Sequence, residues 1–297
     1  MLFNIRREFN REFFNLMTKD IKKKLRIKPK GDSNFTILTQ LCSSDINMYL
    51  IAMASFCRFV VPQKIIVVAD RLTSDEVALL AQCIEGIHII PIAEAGCEDL
   101  PSGGCWERLI SIHKLIDNNY VVQLDADTIT LQYPNEVVAA INGNRSFTLP
   151  TKMGQEIWTL TETADKIASI KGDHVQLRAE KSFSKLATPN TRLYVRGCAG
   201  FAGFAKGSAV LEALIDFNRE LEAAIGKKEW NQWGSEQVAS NYVIANTPHA
   251  LILPFSKYPY YEVGLNLDGA AFVHFIGGSR YKRGVYMNLS RQLISQI

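Results

Sequence analysis

Apolar runs and amphipathic stretches alternate along the first half of the chain. Lys64–Ala69 (KIIVVA) contains a continuous apolar run of the kind that is buried in a parallel sheet. Apolar residues recur at helical spacing in Ser74–Ile84 and in Trp106–Asn118. Strands that alternate with helices predict an α/β fold with a mostly parallel central sheet flanked by helices. The predicted strands are Phe35–Gln40, Lys64–Ala69, Ile87–Pro91 and Val121–Leu124.

The pattern changes over residues 151–193, where the apolar runs shorten and charges mix in. Thr159–Lys171 is predicted to be a solvated helix. We interpret residues 151–193 as an insertion at the mouth of a site, where acceptor specificity would be determined. Later elements are predicted as helices at Ser208–Ile225, within Trp230–Asn241 and at Tyr286–Ile294, and as strands at Ala250–Pro254 and Ala271–Val273.

Four glycines punctuate the segment GCAGFAGFAKG that follows the insertion, and the first three are Gly197, Gly200 and Gly203. Their density is similar to that of a dinucleotide-binding fingerprint, but a strand whose backbone closely approaches a ligand or another strand accounts for them better. We therefore predict close backbone approach at Gly197, Gly200 and Gly203.

Composition is ordinary for a globular enzyme, with 47% hydrophobic and 21% charged residues in 297. The six cysteines are scattered and form no C-x-x-C pair, which favours buried, reduced thiols in a cytoplasmic protein over a disulfide framework or a zinc site. Residues 32–297 are predicted to form one domain.

Residues 1–31 are a basic amphipathic segment. They hold ten Lys/Arg and three Asp/Glu, a net charge of about +7. Apolar residues recur at helical spacing, and no uninterrupted apolar run marks a signal peptide or a membrane span. Two alternatives stay open, which are peripheral contact with an anionic membrane and packing against the body of the protein or another subunit. The apolar positions are Leu2, Ile5, Phe9, Phe13, Leu16 or Met17, and Ile21.

The stretch Tyr120–Pro134 (YVVQLDADTITLQYP) carries the strongest chemical signal. Its strand ends at two carboxylates, Asp125 and Asp127, which a bent backbone would bring together on a hard cation such as Mg²⁺ or Mn²⁺. An ordinary pair of turn aspartates is the structural alternative. Ligands gather at the carboxyl ends of parallel strands, where Gln40 and Asp70 also stand, so both are predicted to bind a nucleotide donor.

A second signal lies near the C-terminus, where a predicted strand delivers His274 to the glycine-rich, basic stretch FIGGSRYKRG. Exposed amides and guanidinium groups both suit phosphate oxygens. A lone histidine after a strand is otherwise a core or surface residue.

Together these residues resemble GT-A-type, DxD-dependent glycosyltransferases, and they are most similar to the retaining galactosyltransferase and glycogenin-like family 8. The resemblance spans roughly residues 35 to 290, and its specific blocks stand in the family's order. The blocks are Arg108-Leu109, Asp125-Ala126-Asp127, Glu236–Asn241 (EQVASN, where the family has DQDxLN) and His274-x-x-Gly277-x-x-Arg280 (where the family has HxxGxxKPW).

The resemblance implies a metal-dependent site. Asp125, Asp127 and His274 would hold Mn²⁺ or Mg²⁺ against the diphosphate of a nucleotide sugar. Arg280 stands where the family's lysine contacts phosphate, and Ala126 and Gly277, within the same motifs, are predicted to bind the donor.

The resemblance also assigns residues to the sugar. Arg108 would lie near the donor, Gln237 would match the glutamine beneath the anomeric carbon, and Glu236 would contact the donor sugar. Two departures bear on the family's retaining stereochemistry: Val238 replaces the second aspartate of its block, and Tyr281 follows Arg280 in place of Pro-Trp.

The predicted function is transfer of a sugar from a nucleoside-diphosphate sugar, expected to be a UDP-sugar, to a glycan, lipid-linked or protein acceptor, with no nucleic-acid partner. A sugar-phosphate nucleotidyltransferase is disfavoured because LCSSDI follows the first strand in place of a glycine-rich basic loop. A non-catalytic carbohydrate- or nucleotide-binding protein and a structural protein with an incidental D-x-D are further alternatives. The aromatic residues considered for stacking on a sugar or a base, with core packing as their alternative, are Trp230, Trp233, Tyr258, Tyr260 and Tyr261.

Overall fold

The computed structural model describes residues 2–208 and 211–297, with side chains from residue 7 onward. Outside that description lie the side chains of two predicted apolar positions, Leu2 and Ile5. Positions 209 and 210 of the predicted helix Ser208–Ile225 lie outside it as well. The strands are β1 Phe35–Cys42, β2 Lys64–Asp70, β3 His88–Pro91, β4 Tyr120–Leu124, β5 Thr128–Thr130, β6 Phe147–Leu149, β7 Ile157–Thr159, β8 Leu193–Val195, β9 Cys198–Phe204, β10 Leu251–Ile252 and β11 Phe272–His274. The helices are α1 Leu2–Met17, α2 Ile21–Lys24, α3 Ile46–Cys57, α4 Ser74–Cys83, α5 Trp106–Leu115, α6 Asn135–Asn142, α7 Leu160–Ile167, α8 Val175–Ser182, α9 Leu211–Ile225, α10 Lys227–Trp230, α11 Ser235–Ala245 and α12 Val285–Gln296.

A seven-stranded sheet in the order β10-β6-β9-β4-β1-β2-β3 forms the centre of the molecule. Strands β1 to β4 run parallel, as the alternating pattern predicts, and β9 enters antiparallel between β4 and β6. The predicted mixed α/β architecture with a mostly parallel central sheet is confirmed. The ends of the elements differ from the predicted ends by a few residues. The helix predicted to end at Asn118, for example, is α5 and ends at Leu115.

Both faces of the sheet are buried, which explains the uninterrupted apolar runs. Ile37 of β1 packs into a core beneath α3 and α12, whereas its neighbour Leu38 packs into a second core beneath α5 and α11. In β4, Val122 and Val121 divide between the same two cores. Successive side chains of a strand point to opposite faces, so apolar residues are favoured on both faces of these strands.

The insertion forms the two-stranded ribbon β7–β8 and the helices α7 and α8. The predicted solvated helix is shorter than expected, and one side of it is buried through Leu160, Thr163 and Ile167. Mixed polarity over this stretch therefore reflects an amphipathic helix with a packed face. None of the helices in the described part of the chain is long and apolar enough to cross a membrane.

The N-terminal segment packs on the body of the protein through one side. Phe14 is buried and stacks on Tyr286, with ring centroids 4.9 Å apart. Ile27 pairs with the chain beside α4, where its amide donates to the Cys83 carbonyl at 2.8 Å. Asn47 of α3 donates to the Asn15 carbonyl at 2.9 Å. These contacts fix α1 in place and leave its other side towards solvent.

His113 of α5 is the basis of a prediction on stability. Its side chain is buried, neither ring nitrogen has a hydrogen-bond partner, and burial lowers its pKa from 6.5 to about 4. Between pH 6.5 and pH 4 the unfolded chain therefore binds a proton that the folded chain does not, so the free energy of unfolding falls as the pH falls. The substitution His113→Leu should reduce this loss of unfolding free energy by about 3 kcal/mol. Urea denaturation between pH 6.5 and pH 4 measures the effect.

The exposed His88 supplies the control for this experiment. His88→Leu removes an imidazole that is exposed rather than buried. Its urea denaturation midpoints should therefore match those of the wild type at each pH. An unchanged pH dependence in His113→Leu would contradict the prediction.

Candidate active site

The acidic pair lies in a turn that begins where β4 ends. The Asp125 amide donates to the Gly200 carbonyl at 2.9 Å, and the Thr128 hydroxyl donates to the Asp125 carbonyl at 2.8 Å. The Phe275 amide donates to the Asp127 carbonyl, also at 2.8 Å. These bonds bend the backbone between β4 and β5, and both carboxylates therefore reach the same space.

His274 enters that space from β11, which pairs antiparallel with β5 and sets His274 opposite Thr128. Its Nε2 lies 3.1 Å from Asp127 Oδ1 and 3.9 Å from Asp125 Oδ2. One ligand atom from each of the three side chains lies within 4.8 Å of the others. The predicted convergence of His274 with the acidic pair is confirmed.

Gly200 of β9 provides the room for the imidazole. A Cβ atom at this position would lie 2.0 Å from His274 Cε1 and 2.3 Å from Nδ1. Equivalent close approaches occur at Gly197, against Thr148 and Asn241, and at Gly203, against Phe147 and Tyr120. The predicted close backbone approach at these three glycines is confirmed, and at Gly200 it serves the site itself.

Cys198 lies on the far side of the ring, with Sγ 3.4 Å from His274 Nδ1. Both side chains are buried. With Nδ1 engaged by the thiol, Nε2 is the nitrogen that faces the carboxylates. The sequence carries no signal for this contact, because it joins two strands 76 residues apart.

Two arginines neutralise the carboxylates. Arg108 of α5 is buried and forms ion pairs with Asp125 and with Glu236, the latter at 3.0 Å. Arg280 reaches back from the loop after β11 and donates to Asp127 Oδ2 at 2.5 Å. The site therefore combines three carboxylates with two permanent positive charges and one imidazole.

Burial and neighbouring charges move the pKa values in opposite directions. Burial raises the pKa of Asp125 above its ordinary value, although Arg108 and His274 oppose that rise. Burial by itself would also raise the pKa of Asp127, but the charges of His274 and Arg280 hold that pKa below the ordinary value. Burial would lower the pKa of His274, whereas the Asp127 carboxylate raises it well above 6.5. A metal bound through Nε2 would therefore have to displace a proton.

The donor set fits a divalent metal ion. Carboxylate oxygens are the preferred ligands of Mg²⁺ and Mn²⁺, and an imidazole nitrogen is compatible with Mn²⁺. Asp125 remains partly accessible, and the three ligand atoms are close enough to share one ion. The residues present thus satisfy the chemistry that the D-x-D motif predicts.

The remaining predicted donor residues lie at the same edge of the sheet but outside the three-residue cluster. Gln40 accepts a hydrogen bond from the Arg108 amide at 3.2 Å, so it supports the start of α5. Asp70 stands at the end of β2, two strands from β4, and pairs with the neighbouring Arg71. The carbonyl of Ala126 accepts from the Tyr286 hydroxyl at 3.4 Å. Gly277 is exposed, with a φ of 54° that favours glycine.

Gln237 of α11 is half-buried and held at both ends of its amide. Its Oε1 accepts from the Ala199 amide at 3.2 Å, and its Nε2 donates to Gln176 Oε1 at 3.3 Å. Gln176 in turn donates to Glu180 at 2.8 Å. This chain of hydrogen bonds links the insertion to the EQVASN block, and sequence reasoning did not find it, since Gln176 and Glu180 belong to no recognisable motif.

Glu180 is the polar centre of the insertion. It is fully buried and also accepts from the Tyr194 hydroxyl and from Arg196 Nε, both at 3.1 Å. Glu180→Leu would leave these donors and Gln176 without their acceptor, so we expect the free energy of unfolding to fall by about 3 kcal/mol in chemical denaturation. The exposed Glu212→Leu is the control, with an expected change within about 0.5 kcal/mol. Equal midpoints for the two variants would contradict the prediction.

The aromatic candidates divide between core and surface. Trp230, Tyr258 and Tyr261 are buried, in agreement with plain core packing. Trp233 is 74% exposed, with its ring edge-on to His174 at 6.0 Å. Tyr260 is half-buried.

The sheet order, the flanking helices and the acidic turn after β4 together define the GT-A fold. Solved glycosyltransferases share this fold with the chain. The bifunctional glycosyltransferase WbbM in its apo form is similar over 91% of this chain and 51% of its own, with a TM-score of 0.55 and 12% identity. An active-site mutant of LgtC is similar over 88% of this chain and 96% of its own, with a TM-score of 0.53 and 10% identity.

GlyE from Streptococcus pneumoniae TIGR4, in its apo form, is similar over 89% of this chain and 63% of its own, with a TM-score of 0.50 and 12% identity. The chain thus spans about half the length of WbbM and less than two thirds of GlyE. No protein-family model matches the sequence, and no curated protein matches it either. The predicted GT-A fold is confirmed, and the likeness to family 8 stays a prediction.

Proposed function

We propose that this chain is a metal-dependent glycosyltransferase that moves a sugar from a nucleoside-diphosphate sugar, expected to be a UDP-sugar, to a glycan, lipid-linked or protein acceptor. One observation carries the proposal. On a GT-A fold, Asp125, Asp127 and His274 converge at the carboxyl end of the central strand although 147 residues separate the last two. Ligands of open α/β sheets bind at this edge.

The proposed metal ligands are Asp125, Asp127 and His274, with Mn²⁺ or Mg²⁺ as the ion. When bound, such an ion supplies Lewis-acid stabilisation of the departing diphosphate. Arg280 lies against Asp127 and adds a positive charge beside the position proposed for the phosphates. Gly277 begins the turn that presents Arg280, and its exposed backbone is available to a phosphate oxygen.

The sugar end of the donor is assigned to the residues around α11. Glu236 is buried and held by Arg108, so its carboxylate has one fixed orientation. Gln237 is half-buried and fixed by two hydrogen bonds, which suits a residue placed beneath the anomeric carbon. Gln40, Asp70 and Ala126 complete the proposed donor site. Retention at the anomeric carbon is part of the proposal and rests on the resemblance of the EQVASN block.

A cytoplasmic location is also part of the proposal. All six cysteines are free thiols, as in proteins of a reducing compartment. Peripheral contact with a membrane would involve residues 1–31.

The decisive experiment combines binding with turnover. A panel of nucleotide sugars is added to the purified chain with Mn²⁺, with Mg²⁺ or with a chelator, and both the melting temperature and nucleoside diphosphate release are measured. The matching donor should raise the melting temperature by about 5 °C at saturation only when the ion is present, since it binds only the folded chain. The ion-containing sample should also release the nucleoside diphosphate, with water taking the sugar in place of the acceptor.

The products separate the competing functions. A sugar-phosphate nucleotidyltransferase would form pyrophosphate from a nucleoside triphosphate and a sugar phosphate. A binding protein would show the thermal shift without release of nucleoside diphosphate. Absence of both a shift and turnover across the panel would refute the proposed function.

A further inference from the structure

One side of α1 presents large apolar side chains to solvent. Phe9, Phe13 and Leu16 are 67%, 50% and 59% exposed. Their spacing of four and then three residues places them in one stripe along the helix, which we call the α1 stripe. Phe14, on the other side of the helix, is buried against Tyr286. The stripe is therefore held outward by a packed helix and has no partner among the described residues.

The same helix borders a basic cavity. This cavity has a volume of about 700 Å³ and lies between α1 and the loop that follows β11. Arg7, Lys282 and Arg283 line it, and no acidic residue does. All three basic side chains are exposed. The other lining residues are Asn10, Val263, Gly278, Ser279 and Tyr281.

We infer that the α1 stripe and the exposed basic side chains at the mouth of this cavity together form a docking surface for a bilayer that contains anionic phospholipids. Apolar side chains on a surface helix enter the boundary between headgroups and acyl chains, and nearby arginines and lysines are attracted to anionic headgroups. The cavity supplies both a basic lining and the apolar side chain of Val263, which suits a lipid phosphate with its adjoining glycerol.

Charge favours a bilayer over a second copy of the chain. A two-fold symmetric contact centred on the cavity would bring Arg7, Lys282 and Arg283 close to the same three cations of the other copy. Such like-charge pairing opposes association, whereas an anionic surface attracts all three at once. The excess positive charge of residues 1–31 acts in the same direction.

Docking in this way would bring the loop that carries Arg280 to the membrane surface, since Gly278 and Lys282 flank that residue and line the cavity. A lipid-linked acceptor would then lie close to the site. The inference itself does not depend on the proposed reaction, because vesicle binding is measured without any nucleotide sugar.

Co-sedimentation with vesicles tests the surface. The wild-type chain should sediment with vesicles that contain 30% phosphatidylglycerol in phosphatidylcholine at low salt, and much less with phosphatidylcholine alone. The double variants Lys282→Glu/Arg283→Glu and Phe9→Ser/Phe13→Ser should each lower the partition coefficient at least about tenfold. Raised salt should weaken wild-type binding as well.

Matched controls come from elsewhere on the surface. Lys227→Glu/Lys228→Glu makes the same charge change at exposed positions of α10, and Tyr133→Ser removes another exposed aromatic ring. Both should bind vesicles within about twofold of the wild type, and circular dichroism should show all variants folded.

Three results of the vesicle experiment would overturn the inference. They are absence of binding to anionic vesicles, equal binding to neutral vesicles, and a loss in the controls as large as in the test variants. Analytical ultracentrifugation tests whether the α1 stripe instead binds a second copy of the chain. If the wild type is a dimer that Phe9→Ser/Phe13→Ser dissociates while vesicle binding is unchanged, the α1 stripe is a subunit interface and the inference fails.

Discussion

Asp127→Asn should lower nucleotide-sugar turnover at least about a hundredfold. The carboxylate is buried, contacts both His274 and Arg280, and is one of the three proposed metal ligands. An amide of the same size removes its charge, so the site would lose a ligand and His274 and Arg280 would lose their nearest counter-charge. The measurement is nucleoside diphosphate release at saturating donor, together with Mn²⁺ affinity by calorimetry.

Asp173→Asn is the matched control for this change. It makes the same substitution at a carboxylate that also pairs with an arginine, Arg178, but whose side chain is 95% exposed. Its turnover should stay within about twofold of the wild type. If Asp127→Asn is folded and retains both turnover and Mn²⁺ affinity, the assignment of Asp127 as a metal ligand is wrong.

Gly200→Ala should have a comparable effect through the backbone of β9. The added Cβ would lie 2.0 Å from His274 Cε1, so either the imidazole or the strand must move. Overpacking of a buried site costs about 1–3 kcal/mol, and a shift of the ring of about 1 Å would remove Nε2 from the carboxylates. We expect turnover to fall at least about a hundredfold, with Mn²⁺ affinity falling in parallel.

The control for Gly200→Ala is Gly96→Ala, because a Cβ at Gly96 would meet no atom within 4 Å. That variant should retain wild-type turnover and stability. Denaturation curves separate lost activity from lost folding in both proteins. A folded Gly200→Ala variant with unchanged Mn²⁺ affinity would show that the imidazole is not confined by this glycine.

Most of the sheet could be predicted from the sequence because its signals are local. Residues 65–69 of β2 are apolar at every position since both faces of the strand are covered, and that property depends on no distant residue. The turn after β4 was recognisable for the same reason, with two acidic residues directly following a buried strand. The parts of the site that lie within one sequence motif could therefore be predicted.

Contacts between distant segments of the chain were harder to predict from the sequence. His274 could be placed only through a resemblance, because its position depends on the pairing of β11 with β5. Cys198, Gln176 and Glu180 follow no periodic or spaced pattern, and their importance appears only when β9 and α8 are brought beside the site. The antiparallel entry of β9 was likewise invisible, since glycine-rich strands give no indication of direction.

The pairing of β5 with β11 has a consequence for biosynthesis and for proteolysis. The acidic turn emerges from the ribosome long before β11, so a nascent chain carries the two carboxylates without their imidazole and without Arg280. A fragment that ends directly ahead of β11 would likewise retain all seven strands of the central sheet and lack the complete constellation. Catalytic competence should therefore be acquired in a single late event, when the last strand docks.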